Sequence, residues 1–392
     1  MSCHERSRLL SLGSKFFNAS RSKSWICADG REGAIFDILA FQAGGTWSQH
    51  GTLVIRILLK SYAFEFREPL RTAHGLWSVR EGVLVKLEDA HGRIGYGEAS
   101  PVPGFGRETT ATVQARLAAI GDKSTDEAID EVVIQEGGTV GFALAAARAE
   151  MAGGTELTRV HDYLPVAALL PAGRGATRVA MERAEMGFRT FKLKVGVADP
   201  RDERGWLDEV LAELPAESRV RLDANGAWER RQAEGWLDYC ADRAMIEFVE
   251  QPVAAGGAKM EDLLRGLAED YPTKLALDES LVGREDLWRW IDGEWSGVWV
   301  LKVALLGDPS ALQHVIKTHG LDVVYSSALE TAVGARSLYE MAFAHAGKSR
   351  ELGTGVWPLF TDRRANGPTA MPFVRWSDVE TLNKEELWNA VS

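Results

Sequence analysis

From residue 163 onward the sequence repeats one unit. A short apolar run ends in one or two polar residues, and a stretch with helical spacing of its apolar positions follows. The runs are LPVAALL, FRTFKLKV, RVRLDAN, MIEFVEQ, KLALDES, GVWVLKVAL, LDVVYSSAL and RELGTG, with segments such as DERGWLDEVLAEL and DPSALQHVIKTHG between them. Eight strands alternating with seven helices indicate a parallel α/β architecture. No G-x-G-x-x-G opens the first crossover, and polar residues recur strand after strand. A closed (β/α)8-type barrel therefore fits better than an open dinucleotide-binding sheet.

A different rhythm precedes the barrel. LVIRILLKSYAFEF and REGVLVKLEDAHGRIGYGEAS read as strands, with DAHG as a hairpin turn, and TTATVQARLAAI and VGFALAAARAEMAG as helices. The expected division is an extension over 1–50, an α+β unit over 51–160, the barrel over 161–356 and a C-terminal segment over 357–392 that packs back on the α+β unit. Residues 1–25 hold seven Ser, five Lys or Arg and a single acid, Glu5, without a sustained apolar core. That composition suits either an organelle transit segment or an unstructured extension. The expected location is the cytoplasm, or a plastid if the extension is a transit segment.

The net charge of −11 argues against nucleic-acid or anionic-membrane partners. Three cysteines, Cys3, Cys27 and Cys240, make neither a disulfide framework nor a thiolate metal cluster, which fits a reducing compartment. No apolar run approaches the roughly 18 residues of a membrane span. A small carboxylate substrate is the expected partner, and a homo-oligomer is compatible with the sequence.

In a parallel barrel the chemistry lies at the C-terminal ends of the strands. The second strand brings Lys192 and Lys194 there, on one face because they are two residues apart. The third brings Asp223 and Asn225, the fourth Glu250, the fifth Asp278 and Glu279, and the sixth Lys302. Asp223, Glu250, Asp278 and Lys302 follow one another at intervals of 27, 28 and 24 residues, about one strand–helix unit each. Singly, each piece has a structural explanation: DANG as a turn, DES as a helix cap, EQP as a strand end halted by proline.

Together those explanations strain. Three carboxylates at one barrel end repel one another and lose hydration unless a cation sits among them. Oxygen ligands alone suit Mg²⁺, or Mn²⁺, rather than Zn²⁺, and leave positions for water and a substrate carboxylate. Lys194 on one side and Lys302 on the other then suit removal of a proton α to that carboxylate, with the metal stabilising the enediolate. Lys192 is expected to lower the pKa of Lys194 by like charge, and to bond the substrate carboxylate.

The order K-x-K, D-x-N, E-Q-P, D-E-S and a final lysine resembles the enolase superfamily, specifically its muconate-lactonizing-enzyme-like subgroup. The resemblance covers about residues 52–360. It implies a modified (β/α)7β barrel with an N-terminal α+β capping domain, Lys194 and Lys302 as the acid/base pair, and Asp223, Glu250 and Asp278 as Mg²⁺ ligands. Asn225 and Glu279 resemble supporting residues, Glu279 beside Lys302. Residues 67–109, SSALETAVGARSL (326–338) and ELGTGVWPLFTD (351–362) resemble the o-succinylbenzoate synthases of the cyanobacterial and plastid type. That similarity implies dehydration of 2-succinyl-6-hydroxy-2,4-cyclohexadiene-1-carboxylate, with Lys302 as a cation. N-acylamino-acid racemases and dipeptide epimerases use the same residues and remain the alternative. Ser326, Ser327 and Glu330 are expected near the substrate, or else as caps of the next helix. TAHGLWSVREG (72–82) and PVPGFGRET (102–110) are candidate lids.

Overall fold

Alternating apolar side chains through Val54–Thr72 make one long strand, β1, which buries Ile55, Ile57, Tyr62 and Phe66. The computed structural model describes residues 54–72, 75–154, 161–345 and 350–392. The extension over 1–50, and Ala73 and His74 of the first candidate lid, lie outside the described residues.

β1 pairs antiparallel with β2 (Gly75–Glu88), and β2 with β3 (Ile94–Ala99). Between the latter two, Asp89 Oδ1 accepts from the amides of His91 and Arg93, closing the DAHG turn. A short β4 (Lys123–Thr125) adds to the other edge of β1, and a helix over Asp126–Glu136 follows. The sequence reading missed both, because three residues carry no period and the helix buries only Ile129 and Val133. The helix Gly138–Met151 lies directly on β3. A Cβ at Gly95 would stand 1.8 Å from the carbonyl oxygen of Ala147, and one at Gly97 1.9 Å from that of Ala143. Only glycine admits so close an approach.

The barrel is built from β6 (Ala168–Leu170), β7 (Thr190–Lys194), β8 (Arg219–Asp223), β9 (Ile246–Glu250), β10 (Leu275–Leu277), β11 (Val298–Lys302) and β12 (Val323–Ser326). They form one seven-stranded sheet in chain order, each pair parallel. Two intervening helices start on Asp-Pro: the Asp199 and Asp308 side chains each accept from an amide two residues on.

Two of the expected strands take another form. LPVAALL splits: Tyr163–Pro165 becomes β5 and pairs antiparallel with β13 (Phe373–Arg375), while Ala168–Leu170 joins the barrel. RELGTG is not a full strand but closes the ring. Leu352 bonds Pro165 and Ala167 on one side, and Gly353 bonds Tyr325 and Ser327 on the other.

The side-chain period of two decides what the barrel holds. Phe248, Ala276, Val300 and Val324 belong to a small apolar cluster. Two residues further along the same strands stand Glu250, Asp278, Lys302 and Ser326. The apolar layer is the floor and the polar residues lie above it. The C-terminal segment packs against the antiparallel unit: Phe360 stacks on Phe66 with ring centres 5.5 Å apart, and Lys384 pairs with Glu150 at 2.5 Å.

Candidate active site

Five neighbouring strands deliver charge to one end of the barrel. Lys192 and Lys194 are half-buried while Phe191 and Leu193 between and before them are buried, so both amines share the inner face of β7. Lys192 Nζ bonds Asp223 Oδ2 at 2.9 Å and Glu250 Oε1 at 2.6 Å. Lys302 is ion-paired with Asp278. Asn225 Nδ2 donates to Glu279 Oε1 at 3.1 Å. The side chain of Lys194, whose backbone is in register with Asp223, carries no hydrogen bond or ion pair among the described residues.

The electrostatics follow from burial and mutual charge. Burial, then repulsion by Asp223, raises the Glu250 carboxyl well above its ordinary range, with Lys192 opposing. Burial would lower Lys192, yet Asp223, Glu250 and Asp278 hold its ammonium well above the usual lysine value. Burial would likewise raise Asp278, but Lys302 and then Lys192 hold it low. Burial followed by repulsion from Asp278 pushes Glu279 up to about 7, and its Oε2 has no hydrogen-bond partner.

Lys192 therefore differs from its sequence-based role as a like-charge neighbour of Lys194. Its charge is matched by two carboxylates, because the strand register sets Asp223 and Glu250 within reach of its long side chain. No three Asp, Glu, His or Cys side chains among the described residues surround a common point as they lie. The donor set nevertheless fits a hard cation: it is oxygen only, buried and rich in negative charge, and burial followed by repulsion from Asp223 raises the Glu250 carboxyl.

Residues outside the sequence-predicted set complete the site, although E-Q-P and the second candidate lid contain them. Gln251, left-handed at φ 39°, accepts from the amides of Asp278 and Ser280 and donates to Val253 O and Ser280 Oγ. It ties the end of β9 to the end of β10 and so aims Asp278. Phe105, from the second candidate lid, lies over Lys302 with its ring centre 4.4 Å from Nζ. Ser326 Oγ donates to Gly353 O of the closing RELGTG segment at 3.4 Å, and Ser327 Oγ donates to Glu330 Oε2 at 3.2 Å within the turn after β12. Glu330 also accepts from Ala328 N, and its charged neighbours are Glu98 and Arg80 of the antiparallel sheet. It braces the turn rather than facing the lysines. A separate cleft of about 920 Å³, lined by Arg67, Arg364, Asn366, Asp378 and Glu386 among others, contains none of the sequence-predicted site residues.

Residues 176–370 match the family described as Enolase C-terminal domain-like, and residues 62–151 match the family described as MenC, N-terminal domain. The chain is 36% identical to an o-succinylbenzoate synthase of Thermosynechococcus vestitus over 71% of its own length and 86% of that protein. It is 32% identical to an o-succinylbenzoate synthase of Klebsiella pneumoniae over 67% of its length and 79% of that protein. Among solved structures, the o-succinylbenzoate synthase of Thermosynechococcus elongatus with magnesium in its active site superposes with a TM-score of 0.71 at 32% identity, covering 86% of this chain and 100% of that one. An N-succinyl Arg/Lys racemase of Bacillus cereus superposes with a TM-score of 0.71 at 20% identity, covering 83% of this chain and 93% of that one, a likeness of fold.

Proposed function

This chain belongs to the enolase superfamily, and on that premise we propose that it is an Mg²⁺-dependent o-succinylbenzoate synthase. It dehydrates 2-succinyl-6-hydroxy-2,4-cyclohexadiene-1-carboxylate. The observation that carries the reading is the buried cluster of Lys192, Asp223, Glu250, Asp278 and Lys302 at one barrel end, with unpaired Lys194 beside it. Asp223, Glu250 and Asp278 would hold Mg²⁺, which when bound supplies a Lewis acid for the substrate carboxylate. Lys192, bonded to two of these carboxylates, keeps them oriented.

Lys194 takes the proton from the carbon α to the carboxylate. The C–O bond of the neighbouring hydroxyl-bearing carbon then breaks, its leaving oxygen receives that same proton from Lys194 Nζ, and water departs. One C–H and one C–O bond are lost, the ring becomes aromatic, and Lys194 returns to the state in which it began. Proton and hydroxyl leave from one face, so a single base suffices. The Lys302 ammonium, engaged by Asp278 and by the face of Phe105, is a fixed cation for the charge that develops on the substrate. Glu279, held by Asn225, lies beside it.

The test is to incubate the purified protein with the cyclohexadiene and Mg²⁺ and follow the loss of diene absorbance. Turnover by wild type, with much of it retained in Lys302→Arg, is expected. No turnover, alongside racemisation of N-succinyl amino acids, would replace this reading by the racemase one, in which Lys302 must act as a second base.

A further inference from the structure

Arg80, on β2, is fully buried, with none of its surface exposed, and the reaction above does not use it. Among the described residues, all of its side-chain hydrogen bonds go to backbone carbonyls, one of them to its own neighbour Glu81. Nη1 donates to Pro101 O at 2.6 Å and Nη2 to Ser100 O at 2.6 Å. On the other side Nε donates to Leu329 O at 3.0 Å and Nη2 to Ala328 O at 3.2 Å. A buried cation without a hydrogen-bonded carboxylate is costly unless its donors are satisfied. Here the planar fork spans two separate loops, which a point charge such as lysine cannot do.

Both loops border the site. Ser100 and Pro101 open the loop that carries Phe105 onto Lys302. Ala328 and Leu329 belong to the turn after β12, whose Ser326 and Ser327 stand at the site end of the barrel. Leu329 is left-handed at φ 61°, a conformation that a branched residue keeps only when its surroundings impose it. Glu98, one strand over on β3, secures the far side of the same turn. It accepts from Thr331 N, Thr331 Oγ1 and Gly334 N at the start of the helix Ala332–Ala344.

We propose that Arg80 is a positioning residue: it staples the Phe105 loop to the Ser326–Leu329 turn, so that the two segments bordering the site behave as one body. Its effect on turnover rests on the dehydratase reading, whereas its effect on the two loops does not.

The experiment uses the full chain and two readouts. Hydrogen–deuterium exchange compares wild type with Arg80→Met, and exchange is expected to rise together in peptides covering 100–109 and 326–334 while β7 and β8 stay protected. Steady-state dehydration compares wild type, Arg80→Met, Phe105→Ala and the double variant. Arg80→Met is expected to lower kcat/KM about 100-fold, as a misplaced active-site wall does. In the Phe105→Ala background the same change is expected to cost less than about 3-fold more, since both act through one loop. Loosening of only one segment, unchanged protection of both, or fully additive losses would overturn the proposal. If Arg80→Met does not fold, Arg80→Lys replaces it, because one ammonium cannot serve both loops and protection should return in one segment at most. If wild type does not turn over the diene, the dehydratase reading fails and the exchange comparison alone decides on Arg80.

Discussion

The ring of Phe105 lies 4.4 Å from the Lys302 ammonium, bringing a residue of the antiparallel-sheet unit onto the end of barrel strand β11. A cation–π contact in a partly desolvated position contributes about 0.5–2 kcal/mol. Phe105→Leu is therefore expected to lower kcat/KM by about 2- to 30-fold, and Phe105→Tyr to keep most of it. Steady-state kinetics of the two variants checks this, and equal losses in both would remove the ring's electrostatic role.

Lys194 stands without an ion pair beside a cluster whose other lysines are engaged. Lys194→Ala should lower kcat by about 10²- to 10⁴-fold, the usual contribution of a general base. Mg²⁺ affinity and the circular-dichroism spectrum should hold. A variant retaining wild-type kcat would move the base elsewhere.

Metal binding is tested separately from turnover. Calorimetric titration of the wild type with Mg²⁺ should show a single site, and Asp223→Asn should weaken it by about 100-fold or more, beyond what loss of a supporting residue does. Chelation should abolish dehydration and added Mg²⁺ restore it. Equal affinity in the two proteins would place the ion away from Asp223.

Gln251 is buried and holds both amides and hydroxyl at the head of the DES stretch. Gln251→Ala leaves these groups unpaired, at about 1–3 kcal/mol for each buried group that stays unsatisfied. A lower urea midpoint at unchanged m-value, together with a raised KM, is expected. A loss of stability without any kinetic change would confine Gln251 to a structural role.

Burial, first, pushes the Glu330 carboxyl up to about 7 from an ordinary value of 4.5. Between those values the folded state binds a proton that the unfolded state has released. This group's contribution to stability therefore falls as pH rises through that window, and is flat above it. Glu330→Gln removes the ionisation, so the variant should gain on the wild type as pH rises from about 5 to 8. Thermal unfolding of both proteins across that range reads the difference, and parallel curves would show that Glu330 does not titrate there.

The barrel was legible because its strands announce themselves. Short apolar runs bounded by helical spacing are a local signal, and the polar residues that end most of them mark one end of the barrel. The hairpin at DAHG was legible for the same reason, since Asp89 acts on its own neighbours. By contrast, the splitting of LPVAALL depends on Phe373–Arg375, some 200 residues away, which no local pattern encodes. Lys192 was visible as a charged residue on an inner face, but not its choice of Asp223 and Glu250 as partners. Glu330 was visible beside two serines, yet the direction of its side chain depends on Glu98 and Arg80 from another unit. Arg80 itself carries no signal, because its partners are carbonyl groups that every residue possesses.

The sequence by itself determined which residues reach the barrel's end and in what order, since a side-chain period of two and a unit of about 27 residues place them there regardless of what surrounds them. Tertiary structure alone decided how those charges pair, which loop covers Lys302, and what holds that loop in place. The physical reason is range: periodicity is a property of neighbours along the chain, whereas ion pairs, ring contacts and buried hydrogen bonds act between atoms that only folding brings within a few ångströms.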